Sequence, residues 1–189
     1  MAEAAVRRPM RLLAYCLMPN HFHLALWPRQ DGDLSRWMHW LMTAHVRRYL
    51  RHYRSSGHVW QGRFKAFPIQ EDEHLLTVLR YIERNPLRAG LVERAEAWPW
   101  SSLRWLAAPE RAPVRLEAGT VPRGTLWIEG VNAATADIEA AVERVRESIR
   151  RDRPYGLDGW MRATARELGL EYSLRPRGRP RAGGGSEIT

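Results

Sequence analysis

Cys16 and Lys65 are the only cysteine and the only lysine in 189 residues. A lone cysteine excludes an intrachain disulfide and any cysteine-built zinc site, which fits a reducing, cytoplasmic setting. Long hydrophobic runs are missing too. None approaches the roughly 20 residues needed to span a bilayer, and the first residues are basic without the apolar stretch and small-residue cleavage site of a secretion signal. No membrane partner is expected. With lysine nearly absent, arginine carries almost all the positive charge. GC-rich coding bias would account for the exchange of lysine for arginine, but not for a formal net charge of +9 and a sequence pI near 10.7. A chain this basic is expected to meet a polyanion. Nucleic acid fits better than a membrane surface, because the arginines are spread along the chain rather than gathered on one face of an amphipathic helix.

What is present reads as an α+β pattern. Residues 11–18 are apolar and extended, Pro19-Asn20 interrupts them, and residues 21–27 alternate again, so two short strands or one broken strand are expected. Asp33 can cap a long amphipathic helix to about residue 53, with Leu34, Met38, Leu41, Met42, His45 and Tyr49 at helical spacing. Residues 63–70 (RFKAFPIQ) suggest a strand, which Pro68 restricts to an edge. Asp72 then caps a second helix whose buried line is Leu75, Leu79 and Ile82. After a short helix near Ser101 or Ser102 and a Pro/Gly-interrupted stretch, Ile138, Val142, Val145 and Ile149 mark a helix, and Trp160, Thr164 and Leu168 another closed by Gly169. The arginine- and glycine-rich end has the composition of a disordered tail, and no internal repeat is found.

The sharpest chemical signal is His21-Phe22-His23. Residues two apart on a strand point to the same face, so both imidazoles can reach one ion while Phe22 faces the core. Two histidines around an apolar residue also occur by chance, and the pair carries weight only in its setting. Tyr81 and Asn85 lie four apart on the second helix, off the apolar line and near the stripe of Thr77, so they share a face. A tyrosine hydroxyl is a competent nucleophile toward a phosphate whose oxygens a metal polarises. The Asn85 amide oxygen could complete a site of two imidazoles and one oxygen, a setting that Mg²⁺ or Mn²⁺ accepts. Pro86 works against this geometry by biasing Asn85 away from the helical region. Without the rest, Tyr81 reads better as a half-buried helix tyrosine than as a nucleophile.

Three stretches together resemble one known family: LLAYCLMPNHFHLALWP, GDLSRWMHWL, and GHVWQGRFKAFPIQEDEHLLTVLRYIERNPLRAGLVERAEAWPWSSL. They are similar to the REP-associated tyrosine transposases, of the single-tyrosine HUH transposases, over about residues 11–103. The family's His-hydrophobic-His motif falls on His21, Phe22 and His23, its nucleophile on Tyr81, and its third ligand, a polar amide one turn later, on Asn85. The resemblance implies a ferredoxin-like antiparallel sheet with helices on one face, and cleavage of single-stranded DNA beside a hairpin to give a 5′-phosphotyrosine and a free 3′-hydroxyl. Family members usually begin with a strand and a helix ahead of RLLAYCLMPNH, where this chain has about ten residues. A missing first strand and helix would leave a sheet edge open and favour association, so a homodimer is a further expected partner. The expected organisation is a transposase core over residues 1–106, a connector over 107–134, a helical appendage over 135–174 and a basic tail over 175–189.

Arg63, Lys65, Arg84 and Arg88 flank the expected site and are candidates to hold phosphates, although a solvated basic face would look the same. In the tail, Pro176-Arg177-Gly178-Arg179-Pro180 has the form of an AT-hook, whose glycine lets arginines lie along a narrow minor groove. Otherwise Arg175, Arg177, Arg179 and Arg181 make salt-sensitive phosphate contacts. Tyr15, Tyr49 and Tyr53 rank far below Tyr81 as nucleophiles, and the other histidines read as packing or surface residues. The tryptophans could stack unpaired bases, though most suit core packing. The leading expectation is a metal-dependent enzyme that cleaves and rejoins single-stranded hairpin DNA. The alternatives are a catalytically decayed hairpin-DNA-binding protein and, more remotely, a binder of single-stranded RNA.

Overall fold

The computed structural model describes residues 1–8 and 10–175. Residues 176–189, and with them Arg177, Arg179, Arg181 and the AT-hook-like motif, lie outside the described residues. A short helix α1 (Ala2–Arg7) leads into β1 (Arg11–Leu17), β2 (Phe22–Trp27), the long helix α2 (Asp33–Tyr53) and helix α3 (Glu73–Arg88). After three 3-10 turns come α4 (Trp127–Asn132), α5 (Ala136–Arg151) and α6 (Asp158–Glu167). Among the described residues no helix is long and apolar enough to cross a membrane.

The expected α+β class holds, with the strands antiparallel in a two-stranded sheet. Register shifts between Leu12 and Ala14, which makes Leu13 the extra residue of a bulge, and then runs Ala14 to Ala25, Tyr15 to Leu24, Cys16 to His23 and Leu17 to Phe22. Leu75, Leu79 and Ile82 of α3 form the expected buried line and share a core with Ala14, Cys16 and Ala25. On the other face Phe22, Leu24 and Leu26 meet Trp37 and Met38 of α2 together with Ala4 of α1. Helices therefore cover both faces rather than the one expected, and all five central residues of β1 are buried.

The outer edge of β1, expected to be open, is covered. The Leu17 amide donates to the Trp100 carbonyl at 2.9 Å, the Tyr15 amide to Ser102 Oγ at 3.0 Å, and the Glu117 amide to the Leu12 carbonyl at 2.8 Å. Trp98 Nε1 donates to the Leu17 carbonyl at 2.9 Å. The WPWSS segment thus satisfies strand groups that would otherwise template another chain.

Two local expectations need correction. Residues 63–70 form no strand: Pro68 has no N–H to give to a ladder, and the segment makes only an isolated parallel bridge from Ile69 to Tyr155. Asp33 is the first residue of α2 rather than its cap, and its carboxylate accepts the amides of Arg29 and Gln30 instead. Asp72 caps α3 as expected, accepting the His74 amide at 2.8 Å. Gly169 ends α6 with φ of +66°.

The core on α3 continues into the later segments, taking in Trp127 and Val131 from α4 and Val142 and Val145 from α5. At its centre lies a carboxyl group. Glu83 is fully buried; its carboxylate accepts Ser102 Oγ at 3.0 Å and Trp127 Nε1 at 2.7 Å and lies 3.6 Å from the Arg123 guanidinium. Arg123 also donates to the Leu13 carbonyl at 2.8 Å. Burial pushes the Glu83 carboxyl pKa up, against the pull of Arg123, Trp127 and Ser102. Removing one member of such a group leaves the others buried without partners. Glu83→Ala should therefore lower unfolding free energy by about 3–5 kcal/mol, read as a reduced urea midpoint with unchanged slope. A loss below about 1 kcal/mol, the net value of an ordinary hydrogen bond, would show that the carboxylate is not the tie described here.

Candidate active site

The turn at Pro19-Asn20 is closed by the Met18 amide, which donates to the His21 carbonyl at 2.9 Å. That bond sets where β2 begins and therefore which face its side chains take. His23 stands opposite Cys16 on the face covered by α3, and His21 precedes the strand in an exposed position. Their rings meet edge to face with centroids 4.9 Å apart. His23 in turn meets the ring of Tyr81 at 5.3 Å, again edge to face. Three side chains from two elements thus form one continuous row running from solvent into the core.

Burial lowers the His23 pKa to about 4, with the neighbouring His21 adding to the effect, and burial lowers that of His21 as well. Both imidazoles are neutral at pH 7 and have a lone pair to offer. His21 Nδ1 lies 2.7 Å from Asn20 Oδ1, which favours the proton on Nδ1 and directs Nε2 outward. Tyr81 is 8% exposed, and burial raises its phenol pKa. Arg146 of α5 and the Asn85 amide oppose that shift, and Glu143 adds to it.

Asn85 is one turn beyond Tyr81, and α3 continues through Pro86 to Arg88. Its Nδ2 donates to the Tyr81 carbonyl at 2.7 Å, which leaves Oδ1 as the atom able to turn toward a cation. Pro86 therefore does not displace Asn85 from the helix. Among the described residues no three histidines, cysteines or carboxylates gather into a metal cluster. A cation here needs oxygen from an amide, water or phosphate beside the two imidazoles. Two neutral imidazoles, with oxygen ligands supplied from outside the pair, fit a divalent ion that keeps open positions.

The candidate phosphate contacts divide. Arg63, Lys65 and Arg175 are exposed, and Arg88 is half-buried. Arg84 is 5% exposed and turned inward: its guanidinium donates to the Val131 carbonyl at 2.8 Å and to the Ala133 carbonyl, and lies 3.7 Å from Glu139. It joins α3 to α4 and α5 and is not placed to meet a phosphate, because the apolar line of α3 turns that part of the helix toward α4. Arg146 and Glu143 are the site neighbours that sequence reasoning did not find. Helical spacing marks the apolar face of α5 through Val142 and Val145, but nothing in it says that this face meets Tyr81.

Arg84→Ala should consequently cost stability by stranding two carbonyls, about 1–3 kcal/mol for each group left unsatisfied. Arg63→Ala should stay within about 0.5 kcal/mol of the parent. Thermal and urea unfolding of the two variants distinguishes them. Equal stability would show that Arg84 is not an internal tie.

Residues 1–85 match the family described as Transposase IS200 like. A Haemophilus influenzae protein provisionally named as a REP-associated tyrosine transposase is 33% identical over 105 residues, 50% of this chain and 59% of that protein. An Escherichia coli protein named REP-associated tyrosine transposase is 28% identical over 98 residues, 50% of this chain and 55% of that protein. The chain thus spans a little over half the length of these curated relatives, and no solved structure matches it. The matched region contains β1, β2, α2 and α3 as far as Asn85, and over it the chain is similar to the IS200-like transposases and to proteins named as REP-associated tyrosine transposases.

Proposed function

We propose that this chain cleaves and rejoins single-stranded DNA beside a hairpin, with Tyr81 as nucleophile and with His21, His23 and Asn85 holding a divalent cation, Mg²⁺ or Mn²⁺. The observation that carries the reading is the contact row from His21 through His23 to Tyr81, at 4.9 and 5.3 Å, in a chain whose residues 1–85 match the IS200-like transposase family.

In the proposed reaction the Tyr81 oxygen forms a bond to phosphorus as the bond from phosphorus to the 3′-oxygen breaks. The phenol proton passes to solvent and the departing 3′-oxygen takes one up. The product is a 5′-phosphotyrosine and a free 3′-hydroxyl, and one phosphodiester-type bond is exchanged for another, so attack by a 3′-hydroxyl can reverse the step without an energy source. When bound, the cation supplies Lewis-acid polarisation of the phosphoryl oxygens. Arg146 favours the phenolate that burial disfavours. Arg63, Lys65 and Arg175 offer exposed cations to flanking phosphates, and the half-buried Arg88 and the tail arginines Arg177, Arg179 and Arg181 would add positive charge.

A second reading, hairpin binding without cleavage, has its own support in the low exposure of Tyr81 and the proximity of α5. One experiment separates them. The chain and its Tyr81→Phe variant are incubated with labelled single-stranded hairpin DNA and Mn²⁺, with and without chelator, and resolved under denaturing conditions. A denaturation-resistant adduct is expected from the parent chain alone, and chelation should remove it. An adduct that persists in Tyr81→Phe overturns the assignment of the nucleophile. Hairpin binding with no adduct selects the binding-only reading, and stronger competition by a matched RNA hairpin would move the substrate to RNA.

A further inference from the structure

The only buried residues of α2 are Trp37 and Met38, in its first two turns, so its C-terminal half stands clear of the core. That half and the loop after it have an unusual composition. Between Asp33 and Glu71 there is no aspartate or glutamate, while Arg47, Arg48, Arg51, Arg54, Arg63 and Lys65 all fall there and all are exposed. Arg48 reaches Glu3; the other five have no carboxylate partner among the described residues.

Aromatic rings run through the same surface in contact with one another. Phe22 meets Trp60 at 5.4 Å, Trp60 meets His45 at 4.9 Å, His45 meets Tyr49 at 6.1 Å, and Tyr49 meets Tyr53 at 4.6 Å. Tyr49 is 41% exposed and Tyr53 61%, and Trp60 Nε1 has no acceptor among the described residues. Burial keeps the His45 imidazole neutral at pH 7. Phe22 and Trp60 are half-buried, but rings as exposed as Tyr49 and Tyr53 contribute little to a core, so packing does not account for the outer end of the row. From His45 to Tyr53 the helix rises about 12 Å, room for roughly three bases at the stacking spacing of one strand.

We propose that this face of α2, with Trp60, is a stacking platform for unpaired nucleotides of single-stranded DNA. Bases lie against Tyr49, Tyr53 and Trp60 while the surrounding arginines meet the phosphates. Its inner end is Phe22, the residue between the two histidines, so a strand lying on the platform leads toward the β2 edge that holds them. The choice of DNA rests on the cleavage reading above; the charge and the exposed rings stand without it. Tolerance of sequence is expected, because every base has a stacking face.

The test uses the full chain and a fluorescein-labelled 12-nucleotide dT strand, a blunt hairpin without unpaired ends, and a matched rU strand. Tyr49→Ala/Tyr53→Ala removes two exposed rings and leaves the core untouched, and Tyr49→Phe/Tyr53→Phe restores them. The alanine pair should weaken dT binding at least about tenfold, since each stacked base is worth about 1–3 kcal/mol, and should leave blunt-hairpin affinity within about twofold. The phenylalanine pair should bind dT like the parent. Arg51→Gln/Arg54→Gln should instead flatten the salt dependence, by about 0.7 in slope for each single-strand phosphate that is no longer neutralised. The proposal is overturned if the alanine pair binds dT like the parent, if it loses blunt-hairpin affinity equally, or if rU is preferred. Adduct formation on a hairpin, measured in the same variants, keeps the two claims apart. A ring-dependent dT affinity without any adduct sinks the cleavage reading alone, and an adduct with ring-independent dT affinity sinks the platform alone.

Discussion

Glu83 is shut away from solvent, and its carboxyl oxygens are met by Ser102, Trp127 and Arg123. Each of those partners also holds something else. Ser102 accepts the amide of Tyr15 in β1, Arg123 donates to the carbonyl of Leu13, and Trp127 opens α4. Helix α3 is consequently fixed against β1 in rotation as well as in distance, a constraint that apolar packing by Leu75, Leu79 and Ile82 does not impose. Side chains of similar volume can slide past one another, whereas a buried carboxyl group held by two directional hydrogen bonds is confined to one position.

That rotation decides what each residue of one helical turn does. Tyr81 is carried to the histidine row, Ile82 into the core, Glu83 to the buried network and Arg84 to the carbonyls that end α4. A rotation of α3 by one residue, about 100°, would withdraw Tyr81 from His23 and bury a different charge. The site geometry is therefore a by-product of how the core is tied. The bulge at Leu13 has a matching role in β1, since it sets which residues face α3 and thereby places Cys16 opposite His23.

The two long helices show opposite uses of the same amphipathic pattern. In α5 the apolar positions Val142 and Val145 close onto α3, bringing Arg146 near the phenol of Tyr81. In α2 only the first turns are buried, and the remainder projects aromatic rings and arginines away from the core. Helical periodicity reports an apolar stripe in both. It does not report whether a second element is present to cover it, and that difference separates a packed helix from a binding surface.

Much was legible in the residues themselves. An apolar extended stretch over residues 11–18 and alternation over residues 21–27 marked the strand region, Asp72 marked the start of α3, and the two-residue spacing of His21 and His23 brings their rings together at the start of β2. These features are local: each depends on backbone geometry over a few residues, which the side chains present determine directly. The missing strand at residues 63–70, the inward turn of Arg84, the closure of the β1 edge by the WPWSS segment and the approach of Arg146 to Tyr81 were not legible. Each depends on a partner distant in the chain, and neither propensity nor spacing encodes which distant partner arrives. By itself the sequence determined which groups are available for chemistry and the short elements that carry them. Tertiary structure alone decided which of those groups meet, because the buried hydrogen bonds that set helix rotation form only once the whole core has closed.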